Sequence, residues 1–295
     1  MRKILLTGGS GFIGKNLKEL LRKDFNIFSP TSKQLDLTNS DKVLAYLKKN
    51  KFDTVLHSAV YMVTRNSQKD PSKELRLNLR IFFNLARCNK YFKRMFYFGS
   101  GAEYDMENYK KKMKEEYFGE NIPQDDYGFV KYISAKYIES LVNVYDLRLF
   151  GIFGKYEDWE IRFISNAICK VIFNLGITIK QNIYFDYLYI NDLAVIIKKL
   201  IKIKKIPFKH YNVCTGKSID LLKIAKKIKK ISGKDISIIV KNPGLKQEYS
   251  GNNSRLIKLI GKYDFMPIEK SVEDLYRWYD KNKDVINKKK LLFDK

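Results

Sequence analysis

The opening stretch Lys3-Ile4-Leu5-Leu6-Thr7-Gly8-Gly9-Ser10-Gly11-Phe12-Ile13-Gly14 constrains this chain more than any other. A short apolar run enters a glycine-rich turn, and Ile13, Leu17, Leu20 and Leu21 then recur at the spacing of one buried helix face. The pattern predicts strand, tight turn, helix. Gly8 and Gly11 let the backbone turn sharply and approach a pyrophosphate, whose charge a helix N-terminus favours. Gly14 lets the helix pack close to the strand. The spacing is G-x-x-G-x-x-G, not the commoner G-x-G-x-x-G, and glycines alone also suit an ordinary loop. Their position directly after an N-terminal strand favours dinucleotide binding.

The 295 residues are enough to bury a full core, as one large domain or two intimate ones. No stretch approaches the roughly 18 uncharged apolar residues of a membrane span, and Met1-Arg2-Lys3 leads only into the glycine turn, unlike a signal peptide. Cys88, Cys169 and Cys214 are odd in number and lack Cys-x-x-Cys spacing, so no disulfide framework or metal site is expected, which fits the reducing cytoplasm. The net charge of +25 is spread along helix-periodic segments such as Lys226-Lys227-Ile228-Lys229-Lys230. That distribution reads as solvated helix faces and not as a nucleic-acid-binding arm, and a positive field also attracts a diphosphate.

Further along, Asn26 to Phe28 reads as a second strand, and the residues after it are Ser29, Pro30, Thr31, Ser32 and Lys33. A carboxylate there would bond the ribose 2′-hydroxyl of NAD. Hydroxyls with Lys33 instead suit the 2′-phosphate of NADP. A helix through Val43, Leu44 and Leu47, a strand Asp53 to His57 and a helix Leu75 to Cys88 follow. A strand Arg94 to Phe98 then delivers Gly99-Ser100-Gly101-Ala102-Glu103-Tyr104, before a helix from Tyr127 to about Asn143 and a strand Val144 to Phe150. The alternation implies a parallel, doubly wound sheet.

Thr7-Gly8-Gly9-Ser10-Gly11-Phe12-Ile13-Gly14 resembles the opening motif of the extended short-chain dehydrogenase/reductase family, the NAD-dependent epimerases and dehydratases. Phe185-Asp186-Tyr187-Leu188-Tyr189-Ile190-Asn191-Asp192 is similar to its "R-D-F-I-x-V-D-D", and Tyr211-Asn212-Val213-Cys214-Thr215-Gly216 to "Y-N-V-G-S-G". Leu259 to Tyr279, with Gly261, Pro267 and Trp278, resembles the closing "L-G-W-x-P … W". The likeness implies a Rossmann-type doubly wound sheet with a smaller C-terminal α/β substrate domain. The expected division is 1–155 with 183–204 for the cofactor and 156–182 with 205–295 for the substrate. It also implies a homodimer, through the helices around Leu75 to Cys88 and Tyr127 to Asn143. Expected cofactor contacts are Thr7, Gly8, Gly11, Phe12, Ile13, Gly14, Ser32, Lys33, Asp36, Leu37, Ser58, Ala59, Asn78 and Lys131. Asp36 also suits a helix-capping neighbourhood, and His57 reads as a strand-end residue near the cofactor and not as an acid or base.

Tyr127-Gly128-Phe129-Val130-Lys131 carries Tyr-x-x-x-Lys, a spacing that puts both side chains on one helix face. A neighbouring ammonium favours tyrosinate, and such a phenol can protonate a developing alkoxide. Tyr132…Lys136 and Tyr279…Lys283 share the spacing. Gly128, the helix start after Pro123 and Asp125, and the distance from Ser100 single out Tyr127. By resemblance Ser100 is the serine that polarises the substrate carbonyl.

The family's dehydratases carry Asp-Glu after the Ser/Thr, where this chain has Gly101 and Ala102; its GDP-fucose-forming epimerase-reductases use Cys and His at places occupied here by Ala102 and a histidine-free segment. Dehydration and C3/C5 epimerisation are therefore disfavoured. The expectation is NADPH-dependent reduction of a C4 ketone on a GDP-, dTDP- or CDP-linked deoxysugar or heptose, in surface-polysaccharide synthesis, nearest the GDP-fucose synthase and dTDP-4-dehydrorhamnose reductase branch. Arg162, Asn166, Lys246 and Arg255 are substrate-side candidates, with Lys155. The alternatives are an NAD-dependent C4 epimerase using the same trio and, on charge alone, an RNA-binding or regulatory member.

Overall fold

The computed structural model describes residues 1–64 and 66–293. Strands β1 (Lys3–Thr7), β2 (Asn26–Phe28), β3 (Phe52–His57), β4 (Phe92–Ser100) and β5 (Val144–Leu149) alternate with helices α1 (Phe12–Leu21), α2 (Ser40–Asn50), α3 (Glu74–Ala86) and α4 (Asp126–Glu139). Beyond them come β6 (Ile152–Phe153), α5 (Phe163–Ile172), β7 (Ile177–Asn182), β8 (Tyr184–Phe185), β9 (Leu188–Tyr189) and α6 (Ile190–Lys202). The remainder is β10 (His210–Val213), β11 (Ile219–Asp220), α7 (Leu221–Ser232), β12 (Ile238–Leu245), α8 (Ser254–Ile260), α9 (Ile268–Lys281) and α10 (Lys288–Leu291).

Six strands form one parallel sheet in the order β10-β5-β4-β3-β1-β2. In β1, β3 and β4, buried on both faces, apolar residues stand at successive positions instead of alternating. Leu6, Leu56, Phe96 and Phe98 point to one apolar layer, and Leu5, Val55, Met95 and Tyr97 to the other. Leu17 and Leu21 of α1 and Leu193 and Ile197 of α6 cover the first face. Val43, Leu47, Phe82, Leu85 and Ile138, from α2, α3 and α4, cover the second. This is the doubly wound arrangement, Rossmann-like.

Local caps fix the helix ends. Asn39 accepts the backbone N–H groups of Asp41 and Lys42 to start α2, and Asp125 accepts that of Gly128 to start α4. The α4 helix stops at Glu139, short of Asn143, because Ser140 turns its hydroxyl back onto the Tyr137 carbonyl and its N–H bonds the same oxygen.

The rest of the chain forms a smaller α/β part. Here β7 pairs with β12 in parallel and β8 with β11 antiparallel, beside α5, α7 and α9. Its apolar residues Ile164, Ile168, Ile224 and Leu275 join the same cluster as Leu17 and Leu193, so the two parts share a core. The sixth sheet strand, β10, comes from within the stretch 205–295, which was expected to lie wholly in the second part. No helix among the described residues is long and apolar enough to cross a membrane.

Candidate active site

Strand order reverses between β1 and β3, which opens a crevice at the strands' C-terminal ends, where open α/β sheets bind ligands. A cavity of about 2010 Å³ occupies it. One wall is the turn from Thr7 to Ile13. Gly8 has φ +71, and a Cβ there would lie 2.7 Å from the Ala59 nitrogen. At Gly14 a Cβ would meet the Gly8 carbonyl oxygen at 2.1 Å, so this glycine acts from beneath, letting α1 press on the turn. Gly11 begins α1 without a side-chain cap and the first turn carries no acid, leaving the helix N-terminus open to an anion.

Thr7 reaches the end of β3, where its hydroxyl accepts the Ala59 N–H at 3.2 Å and lies 2.8 Å from His57 Nδ1. Burial, together with the Lys131 charge, pushes His57 down to about 3, so the ring stays neutral and unsuited to acid–base work at neutral pH. Ser58 and Ala59 line the cavity, as do Ser29, Thr31, Ser32, Asp36 and Leu37. Asp36 Oδ1 also accepts from the backbone and hydroxyl of Thr38 at 2.9 and 2.7 Å, so it fixes a local turn as well.

Three expected cofactor or substrate residues lie outside the cavity lining. Lys33 lies beyond the wall, in a turn closed by Gln34 on Thr31. Asn78 is buried in α3 and clamps the Tyr61 backbone, accepting its N–H at 2.6 Å and donating to its carbonyl at 3.0 Å; Tyr61 itself lines the cavity. Asn166 donates to the Trp159 carbonyl at 3.0 Å and so holds the segment that carries Arg162. Arg162 faces the cavity and its charge acts on Tyr127. Arg255 instead bonds Glu116 at 2.5 Å, and Lys155 and Lys246 also lie outside the lining.

The inner wall carries Ser100, Tyr127 and Lys131. Ser100 ends β4 and caps the next turn, its Oγ accepting the Ala102 N–H at 3.1 Å. Its hydroxyl also acts on the Tyr127 phenol, drawing that group's pKa down. Lys131, one turn along α4, donates to the Phe98 carbonyl at 2.6 Å and sits 5.9 Å from the Tyr127 ring centre. Burial pushes Lys131 down to about 8, against the pull of Glu103 and Asp146. The Tyr127 phenol is raised by burial, with the Ser100 hydroxyl and Arg162 pulling it back. The expectation that Lys131 lowers this phenol is corrected accordingly: its ammonium is held on a backbone carbonyl, and the relieving charge is that of Arg162.

Behind the serine lies a fully buried ionic cluster absent from the sequence reading. Glu103 Oε1 accepts the Ser100 N–H at 2.9 Å, and Arg148 Nε bonds Glu103 Oε2 at 2.7 Å and Asp146 Oδ2 at 3.0 Å. Arg148 also donates to the Tyr104 hydroxyl, which bonds Asn212. Glu103 and Asp146 face each other across Gly99, where a Cβ would lie 2.3 and 2.1 Å from their oxygens. Burial and the Asp146 charge raise the Glu103 carboxyl well above the ordinary range, while the Arg148 charge pulls it back. The glycines beside Ser100 were the available signal, since each marks a close neighbour.

The family model described as "NAD dependent epimerase/dehydratase family" matches residues 4–214. A protein of Aggregatibacter actinomycetemcomitans named GDP-6-deoxy-D-talose 4-dehydrogenase is 28% identical over 93% of this chain and 97% of its own length. A Pisum sativum protein named bifunctional UDP-glucose 4-epimerase and UDP-xylose 4-epimerase 1 is 24% identical over 95% of this chain and 96% of its own. Among solved structures, a GDP-mannoheptose C4 reductase from Campylobacter jejuni with NADP bound superposes with a TM-score of 0.79 at 24% identity, covering 94% of this chain and 98% of that one.

Proposed function

The chain belongs to the NAD dependent epimerase/dehydratase family, and from that premise we propose that it reduces the C4 ketone of a nucleotide-diphosphate deoxysugar or heptose with NADPH. The observation that carries this reading is the meeting of Ser100, Tyr127 and buried Lys131 on one wall of the cavity that the glycine turn also lines. The cofactor fits the residues present. The Gly8 cradle and the uncapped α1 suit its pyrophosphate, and the hydroxyl-lined end of β2, with no carboxylate, suits a 2′-phosphate.

When bound, NADPH supplies the hydride. Ser100 donates a hydrogen bond to the ketone oxygen and polarises it, and Tyr127 gives that oxygen its phenolic proton as negative charge develops. Lys131 holds the ribose hydroxyls. Arg162, on the cavity wall, takes the sugar side or the diphosphate. Gly101 and Ala102 bring no carboxylate or thiol to the neighbouring carbons, which supports reduction over dehydration.

Two of the similar proteins are named for GDP sugars, which makes GDP the first nucleotide to try, with dTDP and CDP after it. The test is to titrate the purified protein with NADPH and NADH and then add GDP-4-keto-6-deoxymannose. The reading requires preference for NADPH, its stoichiometric oxidation, and a C4 alcohol as product. Protein that copurifies with NAD and interconverts UDP-glucose and UDP-galactose without net oxidation would be a C4 epimerase, the second reading, favoured by the likeness to the pea protein.

A further inference from the structure

Lys131 is a buried ammonium with no carboxylate at ion-pairing distance among the described residues. The acids whose charge reaches it, Glu103 and Asp146, are themselves bonded to Arg148. What touches Lys131 is of another kind. The Phe98 carbonyl accepts one N–H at 2.6 Å, and Nζ stands over the ring of Tyr97, 4.4 Å from its centre, well inside the reach of a cation–π attraction. Tyr97 is buried and lies behind the cavity wall, on the opposite face of β4 from Phe98. Its ring is packed between Phe82 of α3 and His57 of β3, with centroids 5.0 and 5.6 Å away. His57 meets the Thr7 hydroxyl at 2.8 Å, so a line of packed groups runs from the glycine turn to Lys131.

An ammonium has three N–H donors and no acceptor. A carboxylate partner would hold its charge and would also capture a donor. An aromatic face attracts the same charge through its quadrupole, with no lone pair to take an N–H. The donors not given to Phe98 then stay available on the cavity side. We propose that Tyr97 is a positioning residue for Lys131: its ring stands in for a counter-ion, keeping the ammonium charged at the cavity wall with donors free for the cofactor ribose. The ribose contact rests on the reductase reading, and the holding of the charge does not. The titratable groups around Lys131 are Tyr127 on its own helix, Tyr97 and Glu103 at the end of β4 and in the turn after it, Asp146 on β5 and His57 on β3. Burial keeps His57 and both phenols neutral near pH 8. Glu103 is also raised, so the titration below is repeated in Glu103→Gln, where the difference between the Tyr97 variants should persist.

The test reads the ammonium itself. Full-length protein carrying ¹³C at lysine Cε gives one NMR signal that Lys131→Arg lacks, and its shift with pH follows the Lys131 proton. Tyr97→Phe keeps the aromatic face and should leave the midpoint near the wild-type value of about 8. Tyr97→Leu removes the face and should lower the midpoint by about one pH unit. NADPH affinity by fluorescence titration should then fall about fivefold in Tyr97→Leu at pH 8, as the charged fraction drops from half to about a tenth, and match wild type at about pH 6. Should Tyr97→Leu fail to fold, replacement of Tyr97 by trifluorophenylalanine keeps the ring's shape, strips its face of negative potential and should lower the midpoint in the same way. A midpoint that stays or rises when the face is removed, or that falls equally in Tyr97→Phe, overturns the proposal. A lowered midpoint with unchanged NADPH affinity leaves Tyr97 in its role and removes Lys131 from cofactor binding, so the two readings fail separately.

Discussion

Glu103 Oε1 accepts the backbone N–H of Ser100 at 2.9 Å across the turn that Ser100 itself caps, so the serine is fastened through its main chain to a buried carboxyl. The other Glu103 oxygen is bonded to Arg148. The Ser100 end of β4 is therefore anchored to β5 by an ionic cluster without solvent access.

Removing that anchor should be costly. Glu103→Ala leaves the Arg148 charge facing a cavity with only Asp146 to answer it, and such breakage of a buried pair costs about 3–5 kcal/mol. Glu103→Gln keeps an acceptor for the Ser100 N–H and should lose clearly less. Urea unfolding of the two variants against wild type reads the difference; equal losses would mean the charge is irrelevant.

Tyr127→Phe removes the phenolic hydroxyl that the proposed reaction uses as proton donor and leaves the cavity's shape. Turnover of the keto sugar should fall by about 10²–10⁴-fold, with NADPH affinity within error of wild type by fluorescence titration. Undiminished turnover would remove Tyr127 from the chemistry.

Lys131 sets an upper pH limit. Its ammonium titrates near 8, held down by burial, so it is charged below that pH and neutral above it. The kcat/KM for reduction should be level below 8 and fall as pH rises through it. A profile still level well past 8 would show that Lys131 keeps its proton or that its charge is not used.

Glu157 sets a stability trend. It lies buried against the cavity with its Oε2 accepting from Ser165 at 2.6 Å, and burial raises it from an ordinary 4.5 to about 8. The folded state holds this proton more tightly than the unfolded one, so its contribution is complete below 4.5 and is lost as pH rises towards 8. Glu157→Gln should flatten the decline of the urea midpoint across that window. An unchanged decline would assign it to other carboxyls.

The features legible in the sequence are those that neighbours along the chain make. The glycine turn, the start of α4 after Asp125, the helix pair Tyr127 and Lys131, and Ser100 at a strand end all follow from local spacing. The first five sheet strands were legible for the same reason, each being an apolar run, whereas β10, with its His210 and Asn212, was not placed in the sheet. Glu103, Asp146 and Arg148 were not, because their value comes from meeting across two strands, and a lone Glu or Arg looks like surface. Tyr97 was legible only as one more position of β4, because the cation over its ring comes from α4. Lys33 and Arg255 show the converse limit: charge and position suggested ligands, but a tight turn at Thr31–Gln34 carries one away from the wall, and Glu116 engages the other.

The return of the chain to the sheet through β10 sets how the molecule can be divided. His210–Val213 pairs with β5 only after the chain has passed through α5, β7 and β8 of the smaller part, and the rest of that part follows it. A fragment ending before residue 205 would hold the glycine turn, Ser100, Tyr127 and Lys131, yet would leave β5 with a bare row of backbone N–H and C=O groups. Such an edge recruits other strands. The N-terminal half should thus aggregate when made alone, and the chain has to be inherited, expressed and engineered as one piece.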